Sequence, residues 1–419
     1  MGIVRPEVSG LRLMTGISIY WVGLSALADG LTTLVLPYQV DAVVDGSRRA
    51  TALGVVTFLG LMLAMFVQPV AGFASDRLRH RLGRRGWIGL GTIAILLALA
   101  LAGLAATTSL LAVVAAYLAV QVTISIAQAG QQGLIPDLVS TELRGVAAGW
   151  KGLSDVGGAT LGFVVLGNLL ESGGVTAALL VAGVLLAATY AVMLLLVDER
   201  LRRSEPRSGS TSTASFASAY RIVLPRDAAF VRLVMARFSF LLGIFGVGRF
   251  FLFFVEDRLG LGAAEAGAML GVLAVVTVVA SPLAGWLADR YGRLPIMRVG
   301  VVLAVVGVGS LIPAGSTTLV LLAGGFMALG SAAFGAANWA ATTDVVTDGE
   351  TARLMGLANF GTAGAAAAAG LLGPLIDATE GVASGAGYNL LFVTAIVFMA
   401  ASALTVHRIG ETEPGRITV

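Results

Sequence analysis

The sequence predicts an all-α integral membrane protein of twelve transmembrane helices in two pseudo-symmetric six-helix halves. Three observations carry this: long runs without charge, arginines gathered between those runs, and one loop that occurs twice at matching places.

Residues 50–75, 86–136, 172–197, 266–288, 299–343, 354–376 and 381–406 contain no Asp, Glu, Lys or Arg. A helix that crosses a bilayer needs about 20 apolar residues. The runs over 86–136 and 299–343 are therefore long enough for two crossings each. Each breaks at a turn signal, Thr107-Thr108-Ser109 and Pro313-Ala314-Gly315-Ser316. Charged residues make up 12% of the chain, where a soluble domain carries about 25%. Too few polar side chains exist to cover a water-facing surface, so lipid must be the main solvent. Period-two alternation is absent, which removes a β-barrel. Helices satisfy their own backbone polar groups, as lipid demands. The predicted spans are 12–40, 51–74, 87–107, 110–135, 145–170, 174–197, 228–256, 263–288, 296–313, 317–344, 352–376 and 387–408. The first is too long for the apolar core of a cleavable signal.

Basic residues number 27, of which 26 are Arg. With both termini inside, Arg48, Arg49 and Arg258 lie outside, Lys151, Arg237 and Arg249 lie within spans, and the other 21 fall in or beside inner loops and tails. The positive-inside rule therefore predicts cytoplasmic termini, in the cell (plasma or inner) membrane. These arginines punctuate apolar spans, so a nucleic-acid surface is not expected. The polar stretch 198–227, rich in Ser, Thr and Arg, reads as a cytoplasmic linker. It separates an N-terminal bundle, 1–197, from a C-terminal bundle, 228–419.

The halves repeat one another. Gly72-Phe73-Ala74-Ser75-Asp76-Arg77, followed by Gly83-Arg84-Arg85, recurs as Gly285-Trp286-Leu287-Ala288-Asp289-Arg290, followed by Gly292-Arg293. Each copy follows the second span of its half. Asp137 then ends the fourth span and Asp344 the tenth. Two six-helix repeats joined by a linker are the layout of secondary transporters that rock about a central site. The loop's Asp is suited to hold one conformation by a hydrogen bond or ion pair, and its Gly to let adjacent helices turn closely.

On these residues the chain resembles the major facilitator superfamily over essentially its whole length. Val67-Gln68-Pro69-Val70-Ala71-Gly72-Phe73-Ala74-Ser75-Asp76-Arg77, with Gly83-Arg84-Arg85, is similar to the loop of the glycoside–pentoside–hexuronide transporters. It is nearest to their sucrose–proton symporter branch, as is Leu36-Pro37-Tyr38. The resemblance implies inward- and outward-open states, a substrate cavity, a glycoside-like solute and a coupling cation. Two departures qualify it. Ala64 and Gln68 stand where sodium-coupled members carry acids, so no such sodium site is implied. Gln121 stands where sucrose–proton members carry an Asp, and glutamine does not titrate.

Charge within a span is costly and marks function. Five such residues are candidates for coupling: Asp29 in the first span, Lys151 and Asp155 one turn apart in the fifth, and Arg237 and Arg249 in the seventh. Lys151 is the sole lysine. In the fourth span Gln121, Ser125, Gln128 and Gln132 recur at steps of four, three and four and share a stripe, with Gln131 beside it. A solute site is expected from Gln121, Gln128 and Gln132 with Tyr20, Trp21, Asn338, Trp339 and Asn359. The competing structural roles are interhelical hydrogen bonds for the polar residues and packing for the aromatics. Helix sliding is expected along Gly356, Gly361, Gly364 and Gly370.

The chain has no cysteine, its histidines, His80 and His407, lie at span ends, and it lacks a phosphate-binding Gly-rich loop with a following Lys. No cofactor, metal site or enzyme chemistry is expected. Three functions compete. The first is a transporter of a polar organic solute, a sugar or glycoside, with or without proton coupling. The second is a proton-coupled drug or metabolite exporter on the same fold. The third is a lipid scramblase or membrane enzyme. Expected partners are a small-molecule substrate, protons and the bilayer, and a monomer is expected to suffice.

Overall fold

The computed structural model describes residues 6–105, 109–139, 143–197, 228–345, 351–380 and 385–412. The expected linker over 198–227 lies outside the described residues. Among the described residues eleven helices are long and apolar enough to cross a membrane. In chain order, α1 is Gly10–Val43, α2 Gly46–Leu78, α3 Leu82–Leu104 and α4 Leu110–Gln132. The next covers 51 residues, Val146–Leu196, and breaks at Gly174, where φ is +73°. We number its parts α5 (146–173) and α6 (175–196). Then follow α7 (Ala228–Arg249, resuming as Phe251–Leu259), α8 (Ala263–Tyr291), α9 (Arg293–Leu311), α10 (Thr317–Val345), α11 (Ala358–Thr379) and α12 (Ala386–Arg408). Among the described residues this division gives twelve spans.

The turn signals act locally as expected. Ser109 and Ser316 place their hydroxyl oxygens to accept from the amides of Ala112 and Leu319, capping α4 and α10. Such caps replace hydrogen bonds that the first helical turn lacks. In α1, Leu31–Val35 winds as a π-helix just before Leu36-Pro37. Proline has no amide hydrogen to donate, and the helix widens next to it. Asp29 is exposed at the edge of this irregular turn.

The surfaces are inverted relative to a soluble fold. On α3, Ile93, Leu97, Leu101 and Leu104 form one stripe at steps of four, four and three, and all are more than half exposed. Leu104 reaches 79%. Ile88, Ile95, Ala98, Leu99 and Ala102 on other faces are buried. A leucine stripe of this kind is stable against acyl chains and not against water.

Packing divides the chain into two compact units. One comprises Met1–Arg49, Leu59–Glu205 and Leu261–Val272; the other comprises Ala50–Phe58, Pro206–Gly260 and Leu273–Val419. In the first unit α1 lies against α5 and α6 through small residues. A Cβ added to Gly158 or Gly162 would strike the backbone of Val22 or Ala26, and one on Gly23 would strike Thr189. In the second unit Gly300 meets the backbone of Gly330 and Phe334, joining α9 to α10. Apolar burial does not distinguish helix contact from lipid contact in a bilayer, so close backbone approach supplies the attraction.

Both repeated loops turn on a glycine with positive φ. Gly83 has φ 69° and ψ 169°, and Gly292 has φ 95° and ψ 152°. This region is essentially closed to residues with a Cβ, at about 1–3 kcal/mol. Gly292→Ala should therefore destabilise the protein by about 1–3 kcal/mol, read as a lowered thermal midpoint in detergent. An unchanged midpoint would show that the turn relaxes freely.

Candidate functional site: charges within and at the ends of the spans

The repeated loop builds one arginine anchor in each unit. Arg84 donates from Nε to Asp137 at 2.9 Å, from Nη1 to the Ser75 hydroxyl at 2.8 Å, and from Nη2 to Asp76. Its side chain is 9% exposed, so three acceptors compensate a cation that burial would otherwise penalise. One guanidinium thereby ties the end of α2, the start of α3 and the segment after α4. In the second copy Arg293 pairs with Asp289 and, at 3.3 Å, with Asp344. Arg77 and Arg290 are used differently. Each lies over the aromatic ring that follows the first glycine of its copy, Arg77 over Phe73 at 4.7 Å and Arg290 over Trp286 at 5.5 Å. Arg85 donates to the Leu194 carbonyl at 2.6 Å, and the Tyr190 hydroxyl donates to the Arg85 carbonyl. Gly72 and Gly285 face open space.

At other helix ends, carboxylates act as caps. In the first unit Glu171, near the end of α5, accepts from the Ala264 amide at 2.9 Å, in the first turn of α8. In the second, Asp377 in α11 accepts from the Ala50 and Thr51 amides at 3.3 and 2.6 Å, at the start of α2. Anions are favoured at helix N-termini, where amides point outward unpaired. Each cap stands beside a glycine contact. A Cβ on Gly267 would meet the Phe163 carbonyl oxygen, and one on Gly54 would meet the Gly370 carbonyl oxygen.

Within the spans, the first unit gathers a polar cluster. Lys151 donates to Asp155 at 2.6 Å and stands 4.1 Å from the centre of the Trp21 ring. The Ser25 hydroxyl donates to the other Asp155 oxygen at 3.2 Å. Lys151 and Asp155 are one helical turn apart, the spacing that brings side chains together. They are 32% and 35% exposed. The Trp21 indole N–H is buried and has no acceptor among the described residues.

In the second unit, Arg237 lies over Trp339 with 4.8 Å to the ring centre. Among the described residues its buried Nη1 has no acceptor and no carboxylate pairs with it. A charge at this depth costs about 2.5–3.5 kcal/mol on insertion scales. Arg249, 9% exposed, donates to the Ala366 carbonyl at 3.4 Å.

The remaining candidates fall into two groups. Four are enclosed and hydrogen-bonded to the protein. Gln121 donates to the Tyr117 hydroxyl at 2.8 Å, and Gln131 donates to the Ile17 carbonyl. Tyr20 shares a hydrogen bond with Thr92, and Asn338 donates to the Leu233 carbonyl at 3.1 Å. By contrast Gln128 is half-buried, and Gln132, Trp339 and Asn359 are exposed. The glutamine stripe thus changes character along α4, from a buried amide bonded to Tyr117 within the same helix at Gln121 to an accessible amide at Gln132.

The family comparison agrees with this architecture. A family model described as MFS/sugar transport protein matches residues 22–409. The chain belongs to this family. It is a transporter, not an enzyme. No curated protein matches the sequence itself. Among solved structures, it is similar to a bacterial homolog of the human lysosomal transporter Spinster in an inward-facing and occupied conformation. The TM-score is 0.73 at 16% identity, covering 99% of each chain. It is also similar to a D-xylose-proton symporter, with TM-score 0.69 and 14% identity over 94% of this chain and 96% of that one. An auto-inhibited POT family peptide transporter gives 0.76 at 10% identity over 97% of each. At these identities the likeness is one of fold.

Several residues of this transporter's anchors and caps escape a reading of the sequence. Asp137 and Asp344 are visible as a repeat, yet their partner arginines are not. The signal lies in aligning Gly83-Arg84 with Gly292-Arg293. Glu171, Asp377 and Ser25 carry no sequence signal, since their partners lie 93, 326 and 130 residues away.

Two outcomes follow from this geometry. Arg84→Ala should cost about 1.5–3 kcal/mol, the range for hydrogen bonds to charged groups, and Arg84→Lys should restore only part, because an ammonium lacks the three-way fork. Thermal unfolding in detergent reads both. Asp377→Ala should cost about 0.5–2 kcal/mol through loss of a cap, with Asp377→Glu retaining part of it.

Proposed function

We infer that this secondary transporter moves a small polar organic solute, of the sugar or glycoside class, by alternating access with coupling to protons. The observation that carries the reading is the Lys151–Asp155–Ser25 cluster against Trp21, a charged, partly exposed group within the spans. Its logic is a switch. A proton on Asp155 removes the negative charge, weakens the hold on Lys151 and frees the Trp21 face and its N–H for a sugar ring and its hydroxyls. Gln128 and Gln132 supply paired hydrogen-bond groups on α4. The sugar-transport description of the family model supports the solute class.

In this reading Asp155 takes the role of the α4 acid that Gln121 replaces, with Asp29 beside the π-turn as the second candidate carrier. The bundles 1–197 and 228–419 form the two moving halves, with the termini in the cytoplasm of a cell-membrane protein that works as a monomer. The helix-end carboxylates Glu171 and Asp377 hold one gating state.

Proteoliposomes with a trapped pH dye test this. Adding mono- and disaccharides should acidify the lumen. Asp155→Asn should lower proton-driven uptake at least tenfold while sparing exchange of labelled for unlabelled sugar. Uptake without acidification would replace coupling by facilitation. Silence in both readouts from folded protein would overturn the sugar reading and favour export.

A further inference from the structure

Arg237 is unlike the other span cations. Lys151 has Asp155 and Arg84 has three acceptors, whereas among the described residues Arg237 has the Trp339 ring and no hydrogen-bond partner for its buried Nη1. The surroundings of α7 show where it points. Val234 meets Gly361 of α11, and the Phe240 ring stacks on Phe334 of α10 at 4.0 Å. Leu233 accepts from Asn338, also of α10. Ala236 accepts from Ser402 of α12. At about 100° per residue, Arg237 falls between the α10-facing and α11-facing sides of α7. Beside it is Trp339, which is itself exposed. Stacking occupies the flat face of a guanidinium and leaves its N–H edge for a planar acceptor. The buried Nη1, which lacks an acceptor, belongs to that edge.

We propose that Arg237, seated on Trp339, binds a carboxylate of the transported solute, so that the preferred substrates are hydroxylated acids rather than neutral sugars. This rests on the reading of the protein as a transporter of a polar solute and narrows its substrate class. A carboxylate meets the guanidinium edge in two parallel hydrogen bonds and neutralises the charge. A neutral hydroxyl supplies one weaker bond and leaves the charge uncompensated. An anionic lipid headgroup offers the same chemistry from another source.

The test uses purified full-length protein in nanodiscs of neutral lipid and two matched pairs of probes, glucose with glucuronate and glycerol with glycerate. Binding is read by tryptophan fluorescence and uptake in proteoliposomes. The acid of at least one pair should bind at least tenfold more tightly than its neutral twin. Arg237→Gln should abolish that preference, and Arg237→Lys should keep part of it. A neutral-sugar substrate whose acid is not preferred would overturn this proposal and leave the transporter reading standing. Binding of no probe by folded protein would overturn both. An unchanged preference in Arg237→Gln would place the anion elsewhere. Stabilisation by anionic lipid instead of by the acids, lost in Arg237→Gln, would assign the site to a headgroup and overturn the proposal.

Discussion

A bilayer interior offers no hydrogen bonds, and every feature of this structure is arranged around that lack. Backbone amides are satisfied inside helices because nothing else at that depth can satisfy them. The exceptions are therefore informative. The π-turn before Pro37, the non-helical Phe250 in α7 and the 3-10 turn Gly370–Leu372 in α11 are among the described places where a span leaves regular α-helical geometry. Asp29 and Arg249 sit directly beside two of them.

The same constraint governs charge. Ions enter the spans only with a reason, and the ends of helices carry the rest. Arg84 and Arg293 each collect carboxylates from separate segments, so the turn between two helices is held by charge as well as by chain connectivity. Glu171 and Asp377 use the complementary feature, the unpaired amides of a helix start. Close glycine contacts lie next to these caps, which lets the carboxylates reach the amides of a neighbouring helix. Small residues and charged residues thus act jointly: one sets the distance, the other exploits it.

The spans were legible because lipid imposes length and apolarity on each, a strong and local signal. The repeated loop was legible because Gly83 and Gly292 recur with their arginines, and both take a backbone conformation that only glycine holds at low cost. The partner of Asp137 was not legible. Arg77, Arg79, Arg81, Arg84 and Arg85 all lie within reach in sequence, and only folding selects one. The first loop also runs four residues longer between Asp and Gly than the second, which hides the match. The reading of the polar stripe on α4 treated Gln121 and Gln132 alike. Their surroundings differ because Tyr117, one turn earlier, offers Gln121 an acceptor. Which glutamine faces a helix and which faces open space depends on packing from other segments, and periodicity along one helix does not contain that.

The Arg84 anchor also explains a peculiarity of composition. Of 27 basic residues, 26 are Arg. An anchor with acceptors on three sides needs a planar fork, and an ammonium in its place would leave a carboxylate or hydroxyl adrift. A chain that repeats this device and crowds arginines around it has little use for lysine. The single lysine persists at position 151, where one carboxylate and one ring face are all that a compact charge must serve. The protein's cations thus separate Arg84 and Arg293, which hold turns through several acceptors, from Lys151, which meets a single carboxylate.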